Sequence, residues 1–218
     1  MNKRNIVLIG LLVVLVAGFG AYRVYQMKQT APGVLVAGET VKNNDLDLEF
    51  KYPGGEDGFV LLQPDGTQQG ILKSYLMLPK AEYESYKAVE GPSEAPAGMN
   101  IFIFKLEDKD EATTTTERAI EATSTGTSTP RESRITELQN WATDNNGFTS
   151  INLAKNTPEV VEIDGIKALH YQADGLYQQD IYLVSYKDRV YMFVGQYNEM
   201  TDVTYTSFQE LIKSISFG

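Results

Sequence analysis

The chain holds one histidine, His170, in the run IKALHYQA. A lone imidazole can serve as a single general base, and it rules out metal sites built from several histidines. A Ser-His-Asp hydrolase would set its serine on a strained turn, and the G-x-S-x-G signature of that turn is absent. Alternation along the run places Ala168 and Gln172 on the face of His170, so we read it as a packed or half-exposed strand residue. The chemical alternative predicts that His170→Gln removes an activity while the fold survives.

Carboxylates gather in two places. Asp45, Asp47 and Glu49 share one face of an expected strand. That spacing could hold Ca²⁺, but the glycine and distal glutamate of an EF-hand loop are missing, and charge guarding an edge strand is the expectation. Asp108, Asp110 and Glu111 open a threonine-rich tract and read as solvated. Neither G-x-x-x-x-G-K-[ST] nor G-x-G-x-x-G occurs. With no cysteine, the chain has no disulfide, thiolate zinc site or cysteine nucleophile. We therefore nominate no catalytic, cofactor-binding or metal-binding residue and expect no cofactor. Tyrosine is abundant, with 13 copies. If Tyr177, Tyr182, Tyr186 and Tyr197 gathered outside, they would make a peptide or glycan surface, and strand parity divides them between faces.

The elements that hold these residues are clearest in the second half. EVVEI, IKALHYQA, LYQQDIYLVSY and RVYMFVGQY (159–197) read as four strands of an antiparallel meander. Asp164-Gly165 and Asp174-Gly175 read as two-residue type I′ turns, and Lys187-Asp188 has the same loop length. Val190, Met192 and Val194 alternate with Tyr191, Phe193 and Tyr197, so both faces of the last strand need cover. TDVTYTSFQELIKSI (201–215) supplies a helix with Tyr205, Phe208, Leu211, Ile212 and Ile215 in one stripe and Thr201 or Asp202 as cap. SRITELQNWATDN (133–145) supplies another, with Ile135, Leu138, Trp141 and Ala142 together. Earlier in the chain, LDLEFKY, GFVLLQ, ILKSYLML and MNIFIFKLE read as strands, and PKAEYESYKAVE (79–90) as a short helix. The fold class is thus α+β, an antiparallel sheet with helices on both faces.

Residues 108–132 are dominated by threonine and serine, and apolar residues nearly vanish. Such a tract buries too little surface to offset its ordering entropy, so we expect a disordered insertion, with a glycosylated stalk as the alternative. Each flank alone is small for a domain, and long surface loops add little closure entropy. Residues 46–218 therefore read as one domain.

The order LEFKYPGGEDGFVL, an amphipathic helix, DGIKALHYQADG, IYLVSYKDRVYMFVGQY and FQELIKSISF resembles the PsbP-like domain. That family is an α/β/α sandwich found in extrinsic photosystem proteins and in anchored bacterial proteins. The resemblance covers 46–106 and 133–217. Its matching residues are Gly165, Ala168, Tyr171, Phe193, Phe208 and Ser214 to Phe217, all structural, and no site residue carries over. It implies an accessory or binding role without enzymatic activity.

Residues 5–22, NIVLIGLLVVLVAGFGAY, carry no charge and are apolar all round. As a helix they would span about 27 Å, close to a bilayer's hydrocarbon core. Gly18 and Gly20 before Ala21 offer a cleavage site, but the run is long for a secretory signal, and Tyr22, Arg23, Val24 and Tyr25 form an interfacial collar. We expect an uncleaved anchor over 1–30, with Gly18 and Gly20 as small residues for helix packing, and a stalk over 31–45. Lys3, Arg4 and the α-amino group put the N-terminus in the cytoplasm and the domain outside.

The whole chain carries −10, and all 29 acidic residues lie beyond position 38 while four of the 19 basic residues precede position 30. The domain is therefore a poor partner for nucleic acid or anionic lipid headgroups. The function expected is a membrane-anchored extracytoplasmic binding or accessory domain, with envelope proteins or glycans as partners. The alternative is a hydrolase of cell-envelope material working through paired carboxylates.

Overall fold

The computed structural model describes residues 40–55, 58–64, 70–89, 94–106 and 132–218. The expectations for 5–22 and for 107–131 lie outside these residues. Among the described residues no helix is long and apolar enough to cross a membrane.

Among the described residues, ten strands make two sheets. The larger has seven strands: β3 (Phe59–Leu62), β4 (Ile71–Pro79), β5 (Met99–Lys105), β6 (Glu159–Ile163), β7 (Ile166–Asp174), β8 (Gln178–Tyr186) and β9 (Arg189–Tyr197). Their spatial order is β3-β4-β5-β9-β8-β7-β6, antiparallel throughout. Strands from both sides of the threonine-rich tract thus share one sheet, joined where Ile101 pairs with Phe193. The smaller sheet runs β1 (Thr40–Asn43), β2 (Leu48–Lys51) and β10 (Ser216–Phe217) in the order β1-β2-β10. β1 lies within the stretch expected to be a stalk. Val41 pairs with Phe50 and packs on the core, so the folded body starts earlier than the pattern over 31–45 suggested.

The α-helices among the described residues are α1 (Lys80–Ala88), α2 (Glu132–Asp144), the single turn α3 (Asn146–Thr149) and α4 (Val203–Ser214). Each covers the surface its apolar stripe demands. α4 and the small sheet lie over one face, where Phe208 and Leu211 meet Leu48, Phe50, Ile101, Ile103, Tyr191 and Phe193. α2 lies over the other, where Leu138 and Ala142 meet Leu169, Tyr171, Leu183 and Met192. α1 covers the β3–β4 corner through Tyr83 and Tyr86 on Val60, Leu62, Leu76 and Leu78. β9 is buried on both faces, as its two apolar sets require.

Two details seat the helices. Gly195 lies under Phe208, and a Cβ there would run into the phenyl ring, so glycine is what lets α4 lie close on β9. On the opposite face, Tyr171 donates to the Thr149 carbonyl at 2.6 Å, and Thr149 donates to the Ala142 carbonyl at 2.8 Å. This chain of hydrogen bonds ties α2 and α3 to β7.

The turns differ in one place from their sequence reading. Asp164 and Gly165 both have positive φ, at 50° and 73°, as a type I′ hairpin needs. Asp174 pairs with Gln178, so three residues, Gly175, Leu176 and Tyr177, connect β7 to β8. Gly175 has no positive φ, and the longer loop is what carries Leu176 outward, 68% exposed.

Candidate functional site

His170 sits where its parity places it, on the α4 face of β7. Register sets it opposite Tyr182 and sets Gln172 opposite Asp180. Asp180 is 1% exposed. One carboxylate oxygen meets His170 Nε2 at 2.6 Å, and the other accepts from Gln209 Nε2 of α4 at 2.6 Å. An ionised carboxylate only accepts, so this contact fits the imidazole tautomer with its proton on Nε2. The imidazole stacks on the Tyr182 ring, with centroids 4.3 Å apart. Tyr182 packs in turn on Phe208.

Burial pushes the Tyr182 hydroxyl up to about 12, and the Asp180 charge adds to the rise. Tyr197, packed against Tyr205, is also pushed up to about 12 by burial and by Asp180. The cluster therefore joins a buried carboxylate to two donors under a helix. Among the described residues no serine or threonine hydroxyl bonds to His170, and the bond from Gln209 ties Asp180 to α4. Sequence reasoning found His170 and missed Asp180. The available signal was an aspartate on the inward parity of the apolar run DIYLVSY.

Asp45, Asp47 and Glu49 do not share a strand face. Asp47 takes a φ of 50° in the β1–β2 turn, and β2 begins only at Leu48. Its carboxylate meets Lys187 Nζ at 2.8 Å and Arg189 Nη1 at 3.1 Å, and Glu49 pairs with Lys42 at 3.1 Å. β2 is also the central strand of its sheet, so these charges do not guard an edge. No group of three or more metal-ligating side chains occurs among the described residues. Asp108, Asp110 and Glu111 lie outside them.

The four tyrosines do not gather on one surface. Tyr182 and Tyr197 are buried. Tyr186 donates to the Gly218 carbonyl at 2.8 Å, and Tyr177 donates to the Ala95 carbonyl at 3.1 Å.

That last bond borders an open groove of about 410 Å³ between α1 and the segment entering β5. Ala81, Tyr86, Val89 and Pro96 give it apolar walls, and Glu82, Ser85 and Glu94 supply its polar groups. Glu82, Ser85 and Val89 follow one another at helical spacing along the exposed side of α1, while Tyr83 and Tyr86 pin the helix to the sheet. Glu82 and Glu94 are solvent-exposed, and neither makes an ion pair among the described residues. Both carboxylates lie near enough to Tyr177 to add to the rise that burial gives its hydroxyl. Sequence reasoning missed this groove. The helix and the loop were each legible, and their facing one another was not.

No family model matches the chain, and no curated protein matches it. Among solved structures, one it is similar to is a crystal structure from Bacteroides thetaiotaomicron VPI-5482, at 10% identity and a TM-score of 0.40. The match covers 83% of this chain, which spans about half, 48%, of that one.

Proposed function

We propose that this protein is a membrane-anchored binding or accessory domain, held by residues 5–22 with its folded body outside the cytoplasm. The observation that carries the binding part is the groove beside α1. It is shallow and open, and it joins apolar walls to a few polar groups on a helix pinned from behind, as a surface that docks a partner segment does. The apolar leading segment carries the anchoring part, and the PsbP-like order of elements supports an accessory role. Envelope proteins rank above glycans as partners, because the groove walls are aliphatic and aromatic side chains with few hydrogen-bonding groups to read a sugar.

A carboxylate-dependent hydrolase of envelope material is the second reading, and one observation favours it. Glu82 and Glu94 line one groove, as a hydrolase's paired carboxylates would. The general acid of such an enzyme is a desolvated carboxyl, whereas both of these are exposed.

Protease added to intact cells tests the placement, with cleavage of the domain expected and full protection overturning it. Photocrosslinking in intact membranes tests the binding. A photoreactive residue at Ser85 should give discrete protein adducts that one at Glu210, on the exposed side of α4, does not. Release of envelope fragments that stops with Glu82→Gln or Glu94→Gln would replace the binding reading with the hydrolase.

A further inference from the structure

Resting on the groove reading above, we infer that its occupant is a cationic amphipathic segment of a partner protein. A lysine or arginine of that segment sits between Glu82 and Glu94, and the apolar residues beside it pack on Tyr86, Val89 and Pro96.

Charge and shape on this corner of the molecule support that choice. The basic residue of α1 nearest the groove's end is already engaged. Lys87 reaches both oxygens of Glu84, at 3.0 and 3.1 Å, and lies 5.0 Å from the Tyr83 ring centre. It pairs with Glu84, and among the described residues Glu82 and Glu94 are left without an ion pair at the groove. Val89, in the groove wall, is 48% exposed. With Ala81, Tyr86 and Pro96, it makes an apolar wall that needs more than one side chain to cover it. An isolated cation would leave that surface wet, and a purely apolar peptide would leave two carboxylates partly desolvated and unpaired. A segment with a basic residue flanked by apolar ones satisfies both. Acidic lipid headgroups would meet the same two carboxylates with like charge.

The test uses the full chain in zwitterionic nanodiscs and two fluorescent synthetic helical peptides. The peptides share one leucine face, and one carries lysines and the other glutamates on its polar side. The lysine peptide should bind and should slow hydrogen exchange over 80–89 and 94–98. The double variant Glu82→Gln/Glu94→Gln should weaken it about 3–10-fold, as loss of a few partly exposed charge contacts does. Val89→Ser should weaken the lysine peptide, because it breaks the apolar wall without changing the charge. These substitutions are at exposed positions, and unchanged circular dichroism verifies the fold. Equal binding of the two peptides with protection at the groove would overturn the cationic preference and leave the groove reading standing. Binding of neither, or protection spread over the acidic surface without the groove, would overturn both. Protection of the groove by anionic vesicles without peptide would replace the protein partner with a membrane.

Discussion

His170 and Asp180 meet at 2.6 Å beneath α4, one on β7 and the other on β8, and Gln209 closes the pair from the helix. The carboxylate is almost wholly removed from water, so its two hydrogen bonds replace its hydration. The arrangement gives the chain's single histidine a definite structural task, and it makes the pair a measurable support of helix docking.

Asp180→Ala leaves the His170 N–H and the Gln209 amide without their acceptor. We expect a loss of about 1–3 kcal/mol in urea unfolding. His170→Gln keeps a donor within reach of Asp180 and should lose less than about 1 kcal/mol. A double-mutant cycle between the two positions should show coupling. An assayed activity lost in His170→Gln with stability retained would reassign the imidazole to chemistry.

Gly195→Ala tests how α4 seats on the sheet. The added methyl meets the Phe208 ring, so helix or ring must shift. Overpacking of this kind costs about 1–3 kcal/mol, a fall of roughly 2–4 °C in Tm per kcal/mol for a domain of this size. Gly195→Ala/Phe208→Leu should recover part of the loss, which calorimetry can read.

At alkaline pH the buried tyrosines act against the fold. Tyr182 and Tyr197 are raised to about 12 from an ordinary value near 10, and Tyr171 is raised further. Below about pH 10 both states keep these protons, and their contribution is fully present. Between about 10 and 12 the unfolded chain releases protons that the folded chain retains, so stability falls as pH rises. Tyrosinate absorbance should therefore appear in two stages, exposed rings first and the buried set together with unfolding. A single smooth titration of all the rings would contradict the burial.

In acid the sign reverses at Asp47. A hydrogen bond from Lys187 holds its carboxyl below the ordinary 3.8, with Arg189 adding to the effect. Its contribution is present above about pH 4 and is lost as pH falls through the depressed value. Asn at position 47 tolerates the positive φ, so Asp47→Asn should keep the turn and flatten the acid limb of the stability profile. Urea midpoints between about pH 2 and 6 would show it.

What could be read from the chain divides along the range of the interactions. β6 to β9, α2 and α4 were legible because period and turn residues are local. Val190, Met192 and Val194 do face α2, and Tyr191 and Phe193 the opposite core. β1 was not legible, since Thr-Val-Lys-Asn has no distinctive alternation and owes its form to pairing with β2. The turn after Asp174 misled because Asp-Gly scores as a two-residue hairpin wherever it occurs, while the register here adds a residue. The groove needed α1 and residues 94–96 to be brought face to face, and no spacing in the sequence records that.

The pairing of Lys105 with Arg189 along β5 and β9 has a consequence for synthesis. β3, β4 and β5 leave the ribosome well before β9 does, and until then the inner edge of β5 is an unsatisfied row of amides beside bare isoleucine and phenylalanine. The nascent chain must remain in that half-built state while the whole threonine-rich tract, α2 and three more strands are made. A chain stalled anywhere in that interval is a natural substrate for holding chaperones, and slowing translation there should raise aggregation more than slowing it after Tyr197.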